Sequence, residues 1–336
     1  MAGASKIEWT EMTWNPFVGC AIVSPGCTNC YAMSMAARIE AMGSQPRYDG
    51  TTHKVKSKAV WTGKISRATQ ETLLAPLRRK KPAVWFVNSM SDCFAEGVPD
   101  EWIDDVFAVM ALTPQHTYQV LTKRAQRMRA YFAFFNTHCR VANRANILAG
   151  NPLEFPGSIT WPLPNVWLGV SAERQKEADE RIPDLLAAPA AIRFVSAEPL
   201  LGPLDLRPWL SDDSGCEGCD DGAPPRCMRS DIQRAEQCPD KLAVFEHEEG
   251  PVDADGAPAW IRPRRVTLDW VIAGGESGHG ARPMDPEWAR DIGRQCRDAG
   301  VAFFMKQLSG PHGRAVKDIE RFPLGLQVRE MPEVRV

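Results

Sequence analysis

Short apolar segments recur along the chain, and each one is followed directly by polar side chains. Most positions within a segment are apolar, so none of these segments presents one consistently polar face. That pattern is typical of strands in a parallel sheet covered on both sides. It predicts strands at 83–88, 117–121, 166–170, 192–195, 268–273 and 301–305.

Segments with helical spacing of apolar residues alternate with these strands. The clearest starts at Asp285, which can cap a helix beginning with Pro286 and ending at Gly300. Polar residues follow every strand, not only those near one switch point. We therefore predict an α/β fold, a partial or full parallel β/α barrel, over a doubly wound open sheet.

The alternation breaks between residues 211 and 258, where the chain is acidic and has no clear periodicity. We predict a Cys-rich insertion there, with residues 1–210 and 259–336 forming the barrel. Thiols in a segment without an apolar core indicate a stabilising metal. Zinc and an auxiliary iron–sulfur cluster both fit the four cysteines, and reduced cysteines without a metal are the third alternative. The four are Cys216, Cys219, Cys227 and Cys238.

Bulk composition places the chain among ordinary globular proteins, with 44% hydrophobic and 24% charged residues and a net charge of −2. No apolar run is long enough to cross a membrane, and the first residues lack the apolar core of a signal peptide. We therefore expect a cytoplasmic protein, in which ten cysteines indicate metal sites or buried thiols rather than disulfides. Cys139 and Cys296 are expected to be buried, and Cys93 is a further candidate site residue.

Three cysteines lie close together near the start of the chain, as Cys20-x6-Cys27-x2-Cys30. Pro25-Gly26 favours a turn that brings Cys20 toward the other two. A predicted helix from Tyr31 places Cys30 at a helix N-terminus, where thiolates are stabilised. The spacing alone allows a zinc ion with a fourth ligand elsewhere or a four-iron cluster with one iron open to an external ligand.

Several short motifs accompany this loop and give the chain a family resemblance. It resembles the radical S-adenosylmethionine superfamily and, more closely, the phage-associated three-cysteine family of radical-SAM-like proteins. The first spacing is six residues instead of the superfamily's commonest three, and Asn29 replaces the usual aromatic residue. The motifs are Trp14-Asn15-Pro16, Gly19-Cys20, Ser24-Pro25-Gly26-Cys27-Thr28-Asn29-Cys30-Tyr31, Ser89-Met90-Ser91-Asp92, Leu121-Thr122-Lys123-Arg124, Leu168-Gly169-Val170-Ser171, Ser196-Ala197-Glu198-Pro199-Leu200 and Gly274-Gly275-Glu276-Ser277-Gly278.

The resemblance implies an enzyme with a four-iron four-sulfur cluster on Cys20, Cys27 and Cys30. It would cleave S-adenosylmethionine reductively to a 5′-deoxyadenosyl radical, with a flavodoxin or ferredoxin as electron donor. We expect Ser89 or Asp92 to bind the methionine ammonium group.

The other expected cofactor contacts lie at later strand ends. Ser171 and Glu198 are expected near the ribose, Gly274 and Gly275 where the backbone approaches a ligand, and Glu276 as a polar contact. Each of these positions could also be a plain strand-end turn or helix cap.

Charge distribution suggests a substrate. Residues 106–153 contain no Asp or Glu, and residues 53–81 carry nine Lys or Arg against Glu71 alone. Basic groups bind phosphates and aromatic rings stack on bases, so we expect a nucleic-acid or nucleotide substrate. The alternative is a solvated helix face with its aromatic rings in the core. The alternative function is a non-catalytic, zinc- or iron–sulfur-stabilised nucleic-acid-binding or redox-sensing protein. The basic and aromatic residues of the first stretch are Lys123, Arg124, Arg127, Arg129, Arg140, Arg144, Tyr131, Phe132, Phe134 and Phe135.

Overall fold

A largely parallel β-sheet forms the centre of the molecule. The computed structural model describes residues 2–150, 159–211, 266–278 and 280–333, and within these ranges the central sheet has eight strands. The mixed α/β class is therefore confirmed. The strands, in spatial order, are β1 (Ala2–Ala4), β2 (Met12–Trp14), β7 (Val84–Val87), β8 (Thr117–Thr122), β9 (Val166–Ser171), β10 (Ile192–Ala197), β11 (Trp270–Gly274) and β12 (Ala302–Gln307).

The order of these strands in space is also their order along the chain. From β2 to β12 every neighbouring pair is parallel, and β1 pairs with β2 in the antiparallel sense. All the parallel strands therefore end at the same edge of the sheet. The polar residues predicted at the strand ends lie along this carboxyl edge.

Helices pack against one face of the sheet. Alternate strand residues such as Val87, Val120 and Val170 join one buried cluster with side chains of the helices, including Phe107 and Ile182. In the described ranges the helices are α1 (Tyr31–Ala41), α2 (Gln70–Leu73), α3 (Asp100–Ala111), α4 (Ala125–Ala133), α5 (Thr137–Ala149), α6 (Gln175–Leu186), α7 (Arg207–Leu210) and α8 (Pro286–Ala299).

The other face of the sheet is lined by aromatic rings that gather around Trp9. The Trp9 ring lies 4.8 Å from that of Phe86 on β7 and 6.2 Å from that of Trp270 on β11. These strands are four positions apart in the sheet, which would separate them by roughly 19 Å if the sheet were flat. The sheet is therefore strongly curved around Trp9. Residues 7–18 were interpreted from the sequence as a poor strand or an extended lead-in, and the position of the Trp9 ring was not predicted.

Two smaller sheets lie outside the central one. Strands β3 (Phe17–Val18) and β6 (Ser66–Arg67) pair with each other, and β4 (Thr52–Val55) and β5 (Lys58–Trp61) form a hairpin. The hairpin packs on α1, because Trp61 is buried in a cluster with Met33 and Ala36.

The predicted insertion at 211–258 lies outside the described residues except for Ser211, and so do Cys216, Cys219, Cys227 and Cys238. Among the helices that the structure describes, none combines the length and the apolar character needed to cross a bilayer.

Candidate functional site

The three-cysteine loop connects β3 to α1. Pro25–Cys27 forms one short 3-10 turn, as expected from the Pro-Gly pair, and Cys30 is the N-cap residue of α1. Cys27 is buried, whereas Cys20 and Cys30 are partly exposed. The loop is held by side chains from three strand ends.

The first of these side chains is Arg124, just after β8. Its Nη2 donates a hydrogen bond to the carbonyl oxygen of Ala21 at 3.0 Å, and its Nη1 lies 3.6 Å from Cys20 Sγ. The guanidinium therefore places positive charge directly beside one of the three sulfurs. A donor in this position would stabilise a thiolate.

Arg124 is held in place by Asp92, which follows β7. The Asp92 Oδ2 atom accepts a hydrogen bond from Arg124 Nη1 at 2.9 Å and another from the Lys123 amide at 3.0 Å. Its Oδ1 accepts from the Thr122 hydroxyl at 2.7 Å and the Phe94 amide at 2.9 Å. Both oxygens of this predicted cofactor residue are thus bonded within the chain, and Asp92 positions Arg124.

The second anchor is Glu173, just after β9, whose side chain is completely buried. Its Oε1 accepts hydrogen bonds from the Gly26 amide, at 3.0 Å, and from the Ser24 hydroxyl. Its Oε2 pairs with Lys123 Nζ at 3.2 Å and Arg181 Nη1 at 3.0 Å. Burial would raise the pKa of Glu173, but the two cations and the hydrogen bonds outweigh it and lower the pKa to about 2.

The third anchor is Glu276, in the segment after β11, which was predicted as a polar contact. Its Oε2 accepts from Asn29 Nδ2 at 3.0 Å, and its Oε1 accepts from Arg282 Nη2 at 2.6 Å. The same Arg282 nitrogen donates to the carbonyl oxygen of Pro25 at 3.0 Å. Burial opposes ionisation, yet the hydrogen bonds from Arg282 and Asn29 lower the pKa of Glu276. Asn29 therefore links the cysteine loop to this strand end.

Glu198, after β10, lies at the same carboxyl edge and pairs with β12. Lys306 Nζ lies 2.6 Å and 2.8 Å from its two carboxylate oxygens, and Gln307 Nε2 is 3.3 Å from Oε1. The pair is partly buried, with 18% of the Glu198 side chain and 13% of the Lys306 side chain exposed. Lys306 was not among the predicted site residues, although it follows the last predicted strand.

Ser89 and Ser171 make different contributions from those expected. The Ser89 carbonyl oxygen accepts a hydrogen bond from the Tyr31 hydroxyl at 3.0 Å, and its own hydroxyl lies 3.2 Å from Asn15 Oδ1. Ser171 is buried at the end of β9, and its carbonyl oxygen accepts from Arg181 at 2.7 Å. Ser89 thus lies beside the residue that follows the third cysteine, whereas Ser171 takes part in the Arg181 network beneath Glu173.

The two adjacent glycines after β11 differ in what surrounds them. A Cβ atom added to Gly275 would lie 2.5 Å from the Ser309 backbone nitrogen, whereas one added to Gly274 would make ordinary contacts at 3.5 Å with Glu198. Residue 275 is therefore glycine because the Ser309 backbone lies too close to it for a side chain. Gly274 adjoins the Glu198 carboxylate at the carboxyl edge.

The three thiols have the donor chemistry expected of a cluster site. Burial raises the pKa of Cys20 to about 12, against the opposing charge of Arg124, and burial also raises the pKa of Cys30. A bound metal would reverse this preference, because thiols ligate metals as thiolates. In the described ranges no three His, Cys, Asp or Glu side chains are grouped to hold a metal ion. Three thiol donors suit zinc and iron–sulfur clusters alike, and the Arg124 donor at Cys20 Sγ would stabilise a thiolate in either case.

The basic stretch proposed for nucleic acid is neutralised within the chain. All six of its Lys and Arg residues pair with carboxylates. Tyr131 is buried, in agreement with the alternative that the aromatic rings of this stretch face the core, whereas Phe134 and Phe135 are exposed. The pairs are Lys123–Glu173, Arg124–Asp92, Arg127–Asp100, Arg129–Asp184, Arg140–Asp104 and Arg144–Asp105.

The isolated cysteines divide into two kinds. Cys93 and Cys296 are buried, the latter as predicted, and burial raises the pKa of both thiols. The prediction that Cys139 is buried was wrong, because α5 packs through Val141, Ala142 and other residues and leaves Cys139 exposed.

Comparison with known proteins identifies a family. No curated protein and no solved structure matches the chain. One family model, described as a protein of unknown function (DUF5131), matches residues 4–328. This range contains all three cysteines of the loop and every strand end that contacts them. The chain therefore belongs to this DUF5131 family.

Proposed function

We propose that the protein is a radical S-adenosylmethionine enzyme whose Cys20, Cys27 and Cys30 hold a four-iron four-sulfur cluster. One observation carries the proposal: Arg124, Glu173 and Glu276, from three strand ends, all bind the cysteine loop. The three thiols therefore lie at the edge where sites form in parallel β/α folds.

A partial β/α barrel is part of this proposal. Two observations support it. Each strand lies on the same side of the one before it in the chain, and the sheet curves around Trp9. A cytoplasmic location, and a flavodoxin or ferredoxin as electron donor, also belong to the proposal.

The residues of the chain have distinct roles in this scheme. The three thiolates hold the cluster, and Arg124 donates a hydrogen bond to the Cys20 sulfur. When bound and reduced, the cluster would supply the electron for reductive cleavage of S-adenosylmethionine to a 5′-deoxyadenosyl radical. Glu198, with Ser89 and the backbone at Gly274, offers polar contacts for S-adenosylmethionine beside the loop, whereas Glu276 is bonded to Asn29 and Arg282 and positions the loop.

Anaerobic purification tests the proposal. Iron and sulfide content and the paramagnetic resonance spectrum of the reduced protein should indicate a four-iron cluster. Dithionite and S-adenosylmethionine should then yield 5′-deoxyadenosine. Replacing Cys20, Cys27 or Cys30 by Ala should abolish both, whereas Cys139→Ala, at an exposed position outside the loop, should change neither.

Two results would contradict the proposal. A fully loaded cluster that forms no 5′-deoxyadenosine would exclude this chemistry. Zinc in place of iron in the anaerobic protein would favour the non-catalytic, metal-stabilised alternative.

A further inference from the structure

The β4–β5 hairpin is a basic element whose charges are not neutralised. His53, Lys54, Lys56 and Lys58 are all exposed, and no acidic residue occurs between Asp49 and Glu71. In the part of the chain that the structure describes, these lysines form no ion pair with a carboxylate. The hairpin thus differs from the paired basic stretch at 123–144.

The tip of the hairpin has a lysine at a position where the backbone conformation does not favour one. Val55 pairs with Lys58, so Lys56 and Ser57 form a two-residue turn, and both have positive φ, at 45° and 67°. Turns of this kind favour Asn-Gly, because other side chains are strained there. A local departure of this sort is expected where a residue serves a function. The result is a positive charge at the exposed tip of the hairpin.

Hydrogen bonds at both ends of the hairpin hold it beside the cysteine loop. Glu40 of α1 accepts hydrogen bonds from the Thr52 hydroxyl at 3.1 Å and the Gly50 amide at 2.6 Å. At the other end, Lys58 Nζ donates to Asn29 Oδ1 at 3.2 Å. Because Asn29 precedes Cys30, the basic charges border the carboxyl edge of the sheet.

A second basic segment borders the same carboxyl edge of the sheet. The Asn29 amide also donates to the Gly280 carbonyl oxygen at 3.0 Å. The neighbouring Gly278 amide bonds to the Gly313 carbonyl oxygen at 2.9 Å. Arg314, the next residue, is exposed and forms no carboxylate pair among the described residues. Unpaired positive charge therefore flanks the site on two sides.

We propose that the hairpin binds the phosphate backbone of a nucleic acid and presents one nucleotide to the candidate site. The presentation step rests on the function proposed above, whereas the binding does not. A two-stranded ribbon fits a nucleic-acid groove, and lysines at its tip would pair with phosphates. On the described hairpin, Val55 is the one exposed large apolar side chain, at 45% exposure, whereas a protein-docking surface usually has a larger apolar centre.

Salt-dependent binding by the full chain tests this inference. The probes are fluorescein-labelled duplex DNA and single-stranded DNA and RNA of equal length, measured without S-adenosylmethionine or reductant. Lys54→Gln combined with Lys56→Asn removes two charges and keeps Lys58 in contact with the loop. Asn also suits the positive φ at position 56. The double variant should bind about tenfold or more weakly at low salt, and its log–log salt slope should fall by about 2.

The control pair is Lys80→Gln with Lys81→Gln. Both residues are exposed and precede β7, at the opposite edge of the sheet, so their removal should change affinity by less than about twofold. Equal losses in the two double variants would overturn the inference. A loss of affinity in the hairpin variant that is larger for poly-L-glutamate than for nucleic acid would also overturn it. That result would assign the surface to an acidic protein.

The two proposals can fail separately. Hairpin-dependent nucleic-acid binding without formation of 5′-deoxyadenosine would remove the enzymatic proposal alone. Formation of 5′-deoxyadenosine with no hairpin effect on binding would remove the nucleic-acid inference alone.

Discussion

The Glu173 carboxylate accepts a hydrogen bond from the Gly26 amide at 3.0 Å across a separation of 147 residues. The contact joins the end of β9 to the middle of the cysteine loop. It also explains why residue 26 is glycine, since a Cβ there would lie 2.6 Å from Glu173 Oε1. The position of the loop therefore depends on a carboxylate from another part of the chain.

Replacing Glu173 should destabilise the whole fold. Glu173→Gln leaves Lys123 and Arg181 without their shared buried counter-charge, which costs roughly 3–5 kcal/mol in the free energy of unfolding. Urea denaturation would measure the loss. Glu180→Gln on α6 is the matched control, because Glu180 is 57% exposed and should change stability by less than about 0.5 kcal/mol. Similar losses in the two variants would contradict the importance of the buried site.

The stabilisation from Glu173 should depend on pH. Its pKa is lowered from 4.5 to about 2 in the folded chain, so its contribution is complete above pH 4.5 and is lost as pH falls toward 2. The difference in unfolding free energy between wild type and Glu173→Gln should therefore shrink on acidification, by roughly 3 kcal/mol over the full window. Denaturation curves at several pH values between about 6 and 3 would show it. A constant difference would contradict the ionised, paired state of Glu173.

Asp92 and Arg124 should act as one unit. Arg124→Met and Asp92→Asn each break the buried ion pair, although Arg124 keeps its exposed partner Glu96 in the second variant, and each should cost roughly 3–5 kcal/mol. The double variant should cost less than the sum by about 0.5–3 kcal/mol. Arg129 and Asp184 form the control cycle, since Arg129 is 57% exposed and the coupling should stay below about 1 kcal/mol. Strict additivity at Asp92 and Arg124 would show that the pair is not coupled.

The neighbouring glycines 274 and 275 provide a steric test. Gly275→Ala would force a Cβ to within 2.5 Å of the Ser309 nitrogen and should destabilise the chain by roughly 1–3 kcal/mol. Gly274→Ala meets its neighbours at 3.5 Å and should cost less than about 1.5 kcal/mol. Thermal unfolding of both variants separates the two cases. Equal tolerance would contradict the close approach at Gly275.

Strand ends were the most predictable part of the site. The periodicity identified every strand from β7 to β12, and the polar residues after them included Asp92, Glu198 and Glu276. The predicted N-cap position of Cys30 is also confirmed. These features are local, because strand length and helix capping are determined by neighbouring residues.

The long-range pairings could not be predicted in the same way. Glu173 was not among the predicted site residues, since nothing nearby in sequence indicates Gly26 as its partner. Trp9 and the β4–β5 hairpin escaped prediction because each is short and owes its position to tertiary packing, on Phe86 and on α1 respectively. Arg124 is part of the motif Leu121-Thr122-Lys123-Arg124, but its contact with Cys20 depends on how the sheet curves.

The three contacts that hold the cysteine loop affect how fast its backbone amide hydrogens exchange with solvent. The loop contains no regular sheet, yet opening it requires breaking contacts with Arg124, Glu173 and Glu276 together. Its buried Gly26 amide should therefore exchange hydrogen for deuterium at a rate near that of the central strands, whereas most surface loops open locally at little cost. Exchange of this amide as fast as that of Gly325, in an exposed turn, would show that the loop opens independently of the sheet.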